Sequence, residues 1–253
     1  MTDATPDPNS SPTVVLVHGA FADSSSWNGV VDRLLAADLR VVAAANPLRG
    51  LAADAAYVAA HLSGTDGPVV LVGHSYGGAV IANAAREAAN VAGLVFVAAF
   101  APDEGESAAD LAGRFPGGTL GAALSPPVAL PGGTEDLSIR PDAFPAQFAA
   151  DVPVAEAARM AVAQRPIAAA ALAEASGDPA WKTLPSWFVY GDGDRNIPAE
   201  ALAFMAERAG SRRTVVVPGA SHVVMVSHPD AVADLIRQAV AAVERVGAST
   251  AAG

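Results

Sequence analysis

Cysteine is absent from the 253 residues, which excludes disulfides, thiolate metal sites and cysteine nucleophiles. Cysteine usage therefore says nothing about compartment. Lysine is almost absent as well: Lys182 is the only one, and the formal net charge is −11. A chain so short of cations has no footprint for nucleic acid, and an anionic membrane surface repels it. No apolar run reaches spanning length without glycine, proline or charge, so no membrane segment is expected. The opening "MTDATPDPNSSP" has neither a basic nor an apolar region of the kind a secretory leader needs. A soluble, cytoplasmic protein is the expectation. Charged residues are also sparse at 16%, against 52% hydrophobic, which is a globular balance and far from that of disordered chains. The length suffices for one sizeable core, or for a core carrying an inserted cap.

What the chain does have is short, continuous apolar runs alternating with alanine-rich helical stretches. The runs are 13–17, 40–45, 68–73, 93–99, 186–191 and 213–219, and helices are expected near 25–37, 50–62, 76–89, 199–209 and 228–245. Continuous rather than alternating runs suit strands buried on both faces, and the β-α-β-α rhythm predicts a mainly parallel sheet with helices on both faces, an α/β fold. The rhythm breaks between 101 and 180. Glycine and proline punctuate residues 115–133 as loop, and the stretches from Pro153 and Pro166 read as short helices. A structureless segment of that length is uncommon in a compact domain. The expected organisation is a lead at 1–12, a core at 13–100 and 181–246, a cap insertion at 101–180, and a tail at 247–253.

The chemistry gathers around "VVLVGHSYGG", Val69 to Gly78. Gly-x-Ser-x-Gly alone is a weak signal in a chain with 23 glycines. Here it sits between a strand and a helix, where a tight turn holds a serine out as a nucleophile and small neighbours let the helix pack on the strand. Ser75 then lies at the carboxyl end of the sheet, beside a helix N-terminus. Its hydroxyl needs a base. Of the five histidines, His74 belongs to the turn, His18 to the "VHGAF" loop, His61 to a peripheral helix, and His228 to a helix start before Pro229. His222 follows the last strand in "PGASHVVM" and is the expected base. In "GDGDRNIP", Asp194 is the expected acid that orients it, with Asp192 a turn residue. A calcium loop is excluded there, because Ile197 and Ala203 occupy the required glycine and glutamate positions. Oxyanion donors are expected from the backbone N–H of Tyr76 and from that of Ala20, with Phe21 the alternative.

The order Ser75, Asp194, His222 is that of the α/β-hydrolases. The chain resembles this superfamily, and more narrowly its branch of plant methyl esterases and hydroxynitrile lyases. The likeness lies in "LVHGAF" with Trp27, "GHSYGG", "AAFAPDEGES", "GDRNIP" and "SHVVMVSHP", spread from residue 13 to 245. The resemblance implies the same triad and the same oxyanion donors, and a reduced sheet of about six strands. The hydroxynitrile lyases of this branch carry a lysine after the catalytic histidine and a threonine after the first-strand histidine. Val223 and Gly19 stand there instead, so cyanohydrin cleavage is not expected.

The expected activity is hydrolysis of small to medium neutral carboxylic esters through an acyl-enzyme, needing no cofactor and no metal. No Walker motif or dinucleotide fingerprint is present. Phe21, Phe115, Phe144, Phe148 and Trp181 are the candidate pocket walls, although aromatic residues ordinarily serve packing. The partner is a small-molecule ester, with a monomer or homodimer expected. Acyl transfer to an alcohol, a cofactor-free lyase or C–C hydrolase, and a ligand receptor on a hydrolase fold are the competing expectations.

Overall fold

A computed structural model of the chain describes the backbone of residues 11–251 and the side chains of residues 11–246. In chain order the first half of the core runs β1 (Thr13–Val17), α1 (Asn28–Leu35), β2 (Arg40–Ala44), α2 (Leu51–Leu62), β3 (Val69–His74), α3 (Tyr76–Ala84) and β4 (Val91–Val97). An insertion follows, with α4 (Ala108–Arg114), α5 (Leu120–Ala123), β5 (Val128–Ala129), β6 (Glu135–Leu137), α6 (Phe144–Phe148), α7 (Val154–Ala163), β7 (Ile167–Ala168) and α8 (Ala169–Ala173). The core resumes with β8 (Ser186–Gly191), α9 (Ala199–Arg208), β9 (Thr214–Val217), α10 (Val224–Ser227) and α11 (Pro229–Ala251).

The core strands form one six-stranded sheet in the order β2-β1-β3-β4-β8-β9, parallel throughout. The central runs are wholly buried in β1, β3 and β8, whereas the edge strands β2 and β9 are partly exposed. That explains the unbroken Val/Leu composition of the middle strands, which have no solvent face to mark with polar residues. Helix α2 packs with α3, and α1 with α11, while α3 and α11 both reach the central strands. The register aligns the carboxyl ends: Val17 stands opposite Gly73, His74 opposite Val97, and Gly191 opposite Val217. The loops that follow these residues therefore issue from one edge of the sheet, and all the chemistry described below sits in them.

Two details of the insertion differ from the sequence expectation. The stretch read as helix from Pro166 begins as strand β7, because Ile167 and Ala168 pair with Leu137 and Asp136 and the Ala168 N–H bonds to the Leu48 carbonyl at 3.0 Å. The helix starts only at Ala169. The stretch read as loop contains α5 and β5, and β5-β6-β7 form a small antiparallel sheet. The expected lead lies almost entirely outside the described residues. The last helix runs to Ala251, through most of the segment expected as a tail. Among the described residues no helix is long and apolar enough to cross a membrane.

Candidate active site

Ser75 joins β3 to α3 in a left-handed conformation, φ 53° and ψ −123°. A non-glycine residue held there costs on the order of 1–3 kcal/mol, so the surroundings must impose it. They do so through contacts that tolerate no side chain. A Cβ on Gly73 would lie 2.5 Å from the Gly77 carbonyl oxygen, and one on Gly77 would lie 2.6 Å from that of Val17. Both obstacles are backbone, so neither can step aside. The Ser75 carbonyl accepts the Gly78 and Phe100 amides at 3.0 and 3.1 Å, which pins the turn from two sides. Ser75 is 6% exposed.

Asp194 follows β8 and His222 follows β9. The Asp194 Oδ1 accepts the backbone amides of Asn196 and Ile197 at 2.7 and 3.0 Å, and Oδ2 accepts His222 Nδ1–H at 2.7 Å. Both carboxylate oxygens are thus engaged, and the imidazole tautomer is fixed. Nδ1 carries the proton and Nε2 keeps its lone pair. Asp192 is exposed, and its side chain takes the Gly219 amide in the turn, as expected for a turn residue.

The other histidines are occupied elsewhere. His18 Nδ1–H donates to the Gly19 carbonyl at 2.9 Å and Nε2 accepts the Asn46 amide at 3.0 Å, so this ring must stay neutral, and burial lowers its affinity for a proton. His61 is exposed on α2 and bonds to the Tyr57 carbonyl one turn earlier. His228 meets Ser227 and Asp151. His74 donates Nε2–H to the carbonyl of His222 at 3.1 Å, with the two rings 4.8 Å apart. Burial, then the neighbouring His222, holds its pKa well below the usual imidazole value. The residue before the serine therefore ties the turn to the loop bearing His222.

Two backbone amides face the same end of the sheet. Tyr76 is the first residue of α3, where an N–H has no acceptor within the helix. In the loop after β1, the Phe21 amide bonds to the Arg165 carbonyl at 3.1 Å, which removes Phe21 from consideration as an anion donor and leaves Ala20. The Tyr76 side chain turns inward, where its hydroxyl donates to Asp54 at 2.9 Å. Asp54 is fully buried and also accepts the Arg49 amide. Burial raises its pKa, and burial followed by the Asp54 charge raises that of the phenol. Among the described residues no cluster of three His, Asp or Glu side chains could hold a metal.

Residues 14–235 match the family model described as the alpha/beta hydrolase family. The chain belongs to the alpha/beta hydrolase family. No curated protein sequence matches it. Solved structures share the hydrolase fold at low identity. Polyneuridine aldehyde esterase is 20% identical over 89% of this chain and 97% of its own, with a TM-score of 0.77. A pyrethroid hydrolase from Sphingobium faniae JZ-2 is 21% identical over 91% and 98%, at 0.71. A methylesterase from Arabidopsis is 18% identical over 91% and 99%, at 0.72.

In this hydrolase the five aromatic candidates divide into two groups. The Phe148 ring lies 5.0 Å from that of His222 and 6.2 Å from that of Phe21, with Phe144 behind it at 4.8 Å. Phe115 and Trp181 belong to a different cluster. Phe115 meets Phe204 at a tilt of 45°, Arg208 lies over Trp181 and Phe204, and the Trp181 indole N–H bonds to the Pro102 carbonyl at 2.9 Å. These two pack at the junction of α4 and α9, and their ring contacts do not include His222. Sequence reasoning missed the insertion's polar contacts to the core. Gln147 donates to the Arg195 carbonyl and to Asn196 in the loop of Asp194, at 2.9 and 2.8 Å. Asp151 accepts the Ser221 hydroxyl beside His222. Their partners stand dozens of residues away, and no local pattern marks them.

Proposed function

We propose that the protein is a serine hydrolase of small to medium neutral carboxylic esters, acting through Ser75, His222 and Asp194. One observation carries the reading: the Asp194–His222 pair is locked in the tautomer that leaves Nε2 free to take a proton, in the loop adjoining a serine whose backbone is held in a strained turn. In the proposed reaction Ser75 Oγ attacks the ester carbonyl as His222 Nε2 accepts its proton. Asp194 stabilises the resulting imidazolium. The amides of Tyr76 and Ala20 bind the tetrahedral oxyanion, reinforced by the positive end of α3. His222 protonates the leaving alcohol, then draws a proton from water to release the acid.

The insertion between β4 and β8 would act as the cap, with Phe21 and Phe148 as apolar walls. The esterases among the solved structures of the same fold support ester substrates as a class. Acyl transfer to an alcohol is the second reading, favoured by the dryness of the base. His222 is 1% exposed and its ring is covered by Phe148, so an apolar alcohol competes well with water for the acyl-enzyme. The test is turnover of a panel of p-nitrophenyl and methyl esters by the native protein and by Ser75→Ala, with and without added alcohol. Loss of turnover in Ser75→Ala is expected, and equal turnover by the two proteins would overturn the assignment.

A further inference from the structure

The loop bearing His222 is restrained from both sides. The core holds it through Asp192 on the Gly219 amide, through the Gly193 amide on the Ala220 carbonyl at 3.1 Å, and through His74 on the His222 carbonyl. Residue 221 is held from the insertion instead. The turn Ala149–Val152, closed by a 3.2 Å backbone bond, presents Asp151, whose Oδ1 accepts the Ser221 hydroxyl. Ser221 is 2% exposed and Asp151 is partly buried. The second oxygen of Asp151 is itself buried without a hydrogen bond, 3.5 Å from Nδ1 of His228. A buried oxygen left without a donor calls for a reason beyond packing.

The spacing supplies one. Three residues of a single short stretch address three parts of the same apparatus. Gln147 holds the loop of Asp194, Phe148 covers the His222 ring, and Asp151 holds the residue before His222. We propose that Asp151 is a positioning residue, a latch by which the insertion fixes the catalytic base through Ser221. The proposal rests on the triad reading above. It makes the cap part of the catalytic frame, whose release loosens the base and lowers turnover while the substrate walls stay in place.

The test compares Asp151→Ala, Asp151→Asn, Ser221→Ala and the double variant Asp151→Ala/Ser221→Ala. Asn keeps an oxygen to accept the Ser221 hydroxyl, so it should restore most of what Ala removes. For Asp151→Ala we expect kcat to fall by about tenfold to a hundredfold with KM within about twofold, since small misplacements of a catalytic group cost on this scale. The double variant should be no worse than the poorer single one, because both remove one bond. The hydrogen-bonded imidazole proton of His222, read by NMR, should exchange faster in Asp151→Ala and at the native rate in Asp151→Asn. This last readout needs no turnover, so it separates failure of the latch from failure of the esterase assignment. Equal impairment of the Asn and Ala variants, additive single effects, or an unchanged kcat and exchange rate would overturn the latch.

Discussion

Replacing Asp194 with asparagine puts the proposed triad to a sharp test, because the structure dictates which way the amide must face. Oδ1 receives two backbone amides and Oδ2 receives one imidazole proton. If the asparagine oxygen faces the amides, both bonds survive and the NH₂ faces His222 Nδ1. If it is flipped, an NH₂ group confronts two N–H donors and both are left unsatisfied, at about 1–3 kcal/mol each. The imidazole is bonded in either orientation, since Nδ1 can accept from the NH₂ or donate to the oxygen, so the first orientation prevails by about 2–6 kcal/mol. In that orientation Nδ1 must accept, the proton moves to Nε2, and the histidine can no longer take the serine proton. The expected loss of kcat is about 10³–10⁴-fold, the scale known for this change in serine proteases. Folding should barely respond, since every bond keeps a partner and only the assistance of the charge is lost, and a shift of Tm of only about 2–4 °C is expected for a loss near 1 kcal/mol. The assay is p-nitrophenyl ester turnover alongside a thermal melt, with Asp192→Asn as an active control. An Asp194→Asn enzyme within tenfold of the native rate and correctly folded would refute the assigned tautomer and the role of Asp194.

Two further changes probe the supports around the site. Tyr76→Phe leaves buried Asp54 without its phenol donor and should destabilise the fold by about 1.5–3 kcal/mol in urea denaturation, the worth of a bond to a charged group; a loss under about 0.5 kcal/mol would mean the pair is not formed in solution. Glu106 resists protonation: burial opposes the charge, but hydrogen bonds from Arg208, the Asp103 turn and Arg114 prevail and hold its pKa at about 2 against an ordinary 4.5. A depressed carboxylate stabilises the fold above its unfolded pKa, and that contribution is lost as pH falls from about 4.5 to about 2. Glu106→Gln should therefore flatten this limb of the stability–pH curve, and an unchanged limb in chemical denaturation would refute the assignment.

The core was legible because its signals are local. Each central strand is an unbroken apolar run, and the serine turn is spelled by glycines that the backbone contacts require. Asp194 and His222 could be read as partners because each follows a strand end, and the two are hydrogen-bonded. The insertion was less legible because its structure is made by distant partners. Strands of two or three residues such as β5 and β7 carry no periodicity, and Ile167–Ala168 became strand through Asp136, Leu137 and Leu48 rather than through its own alanine-rich propensity. Composition likewise could not separate Phe148, beside the base, from Phe115 and Trp181, which stack with Phe204 and Arg208. Aromatic residues look alike until their neighbours are known.

The position of the insertion also affects how the chain is made. Strand β4 pairs with β8 along Leu94–Val97, yet residues 98–185 must emerge from the ribosome before β8 does. At bacterial or eukaryotic elongation rates this leaves a fully apolar central strand with an open edge for on the order of ten seconds. An unpaired edge of that kind recruits other chains as readily as its own partner. The newborn protein is therefore most vulnerable after its serine turn has been synthesised and before Asp194 and His222 exist, and a chaperone that shields β4 in that interval would raise the yield of folded protein without touching its final stability.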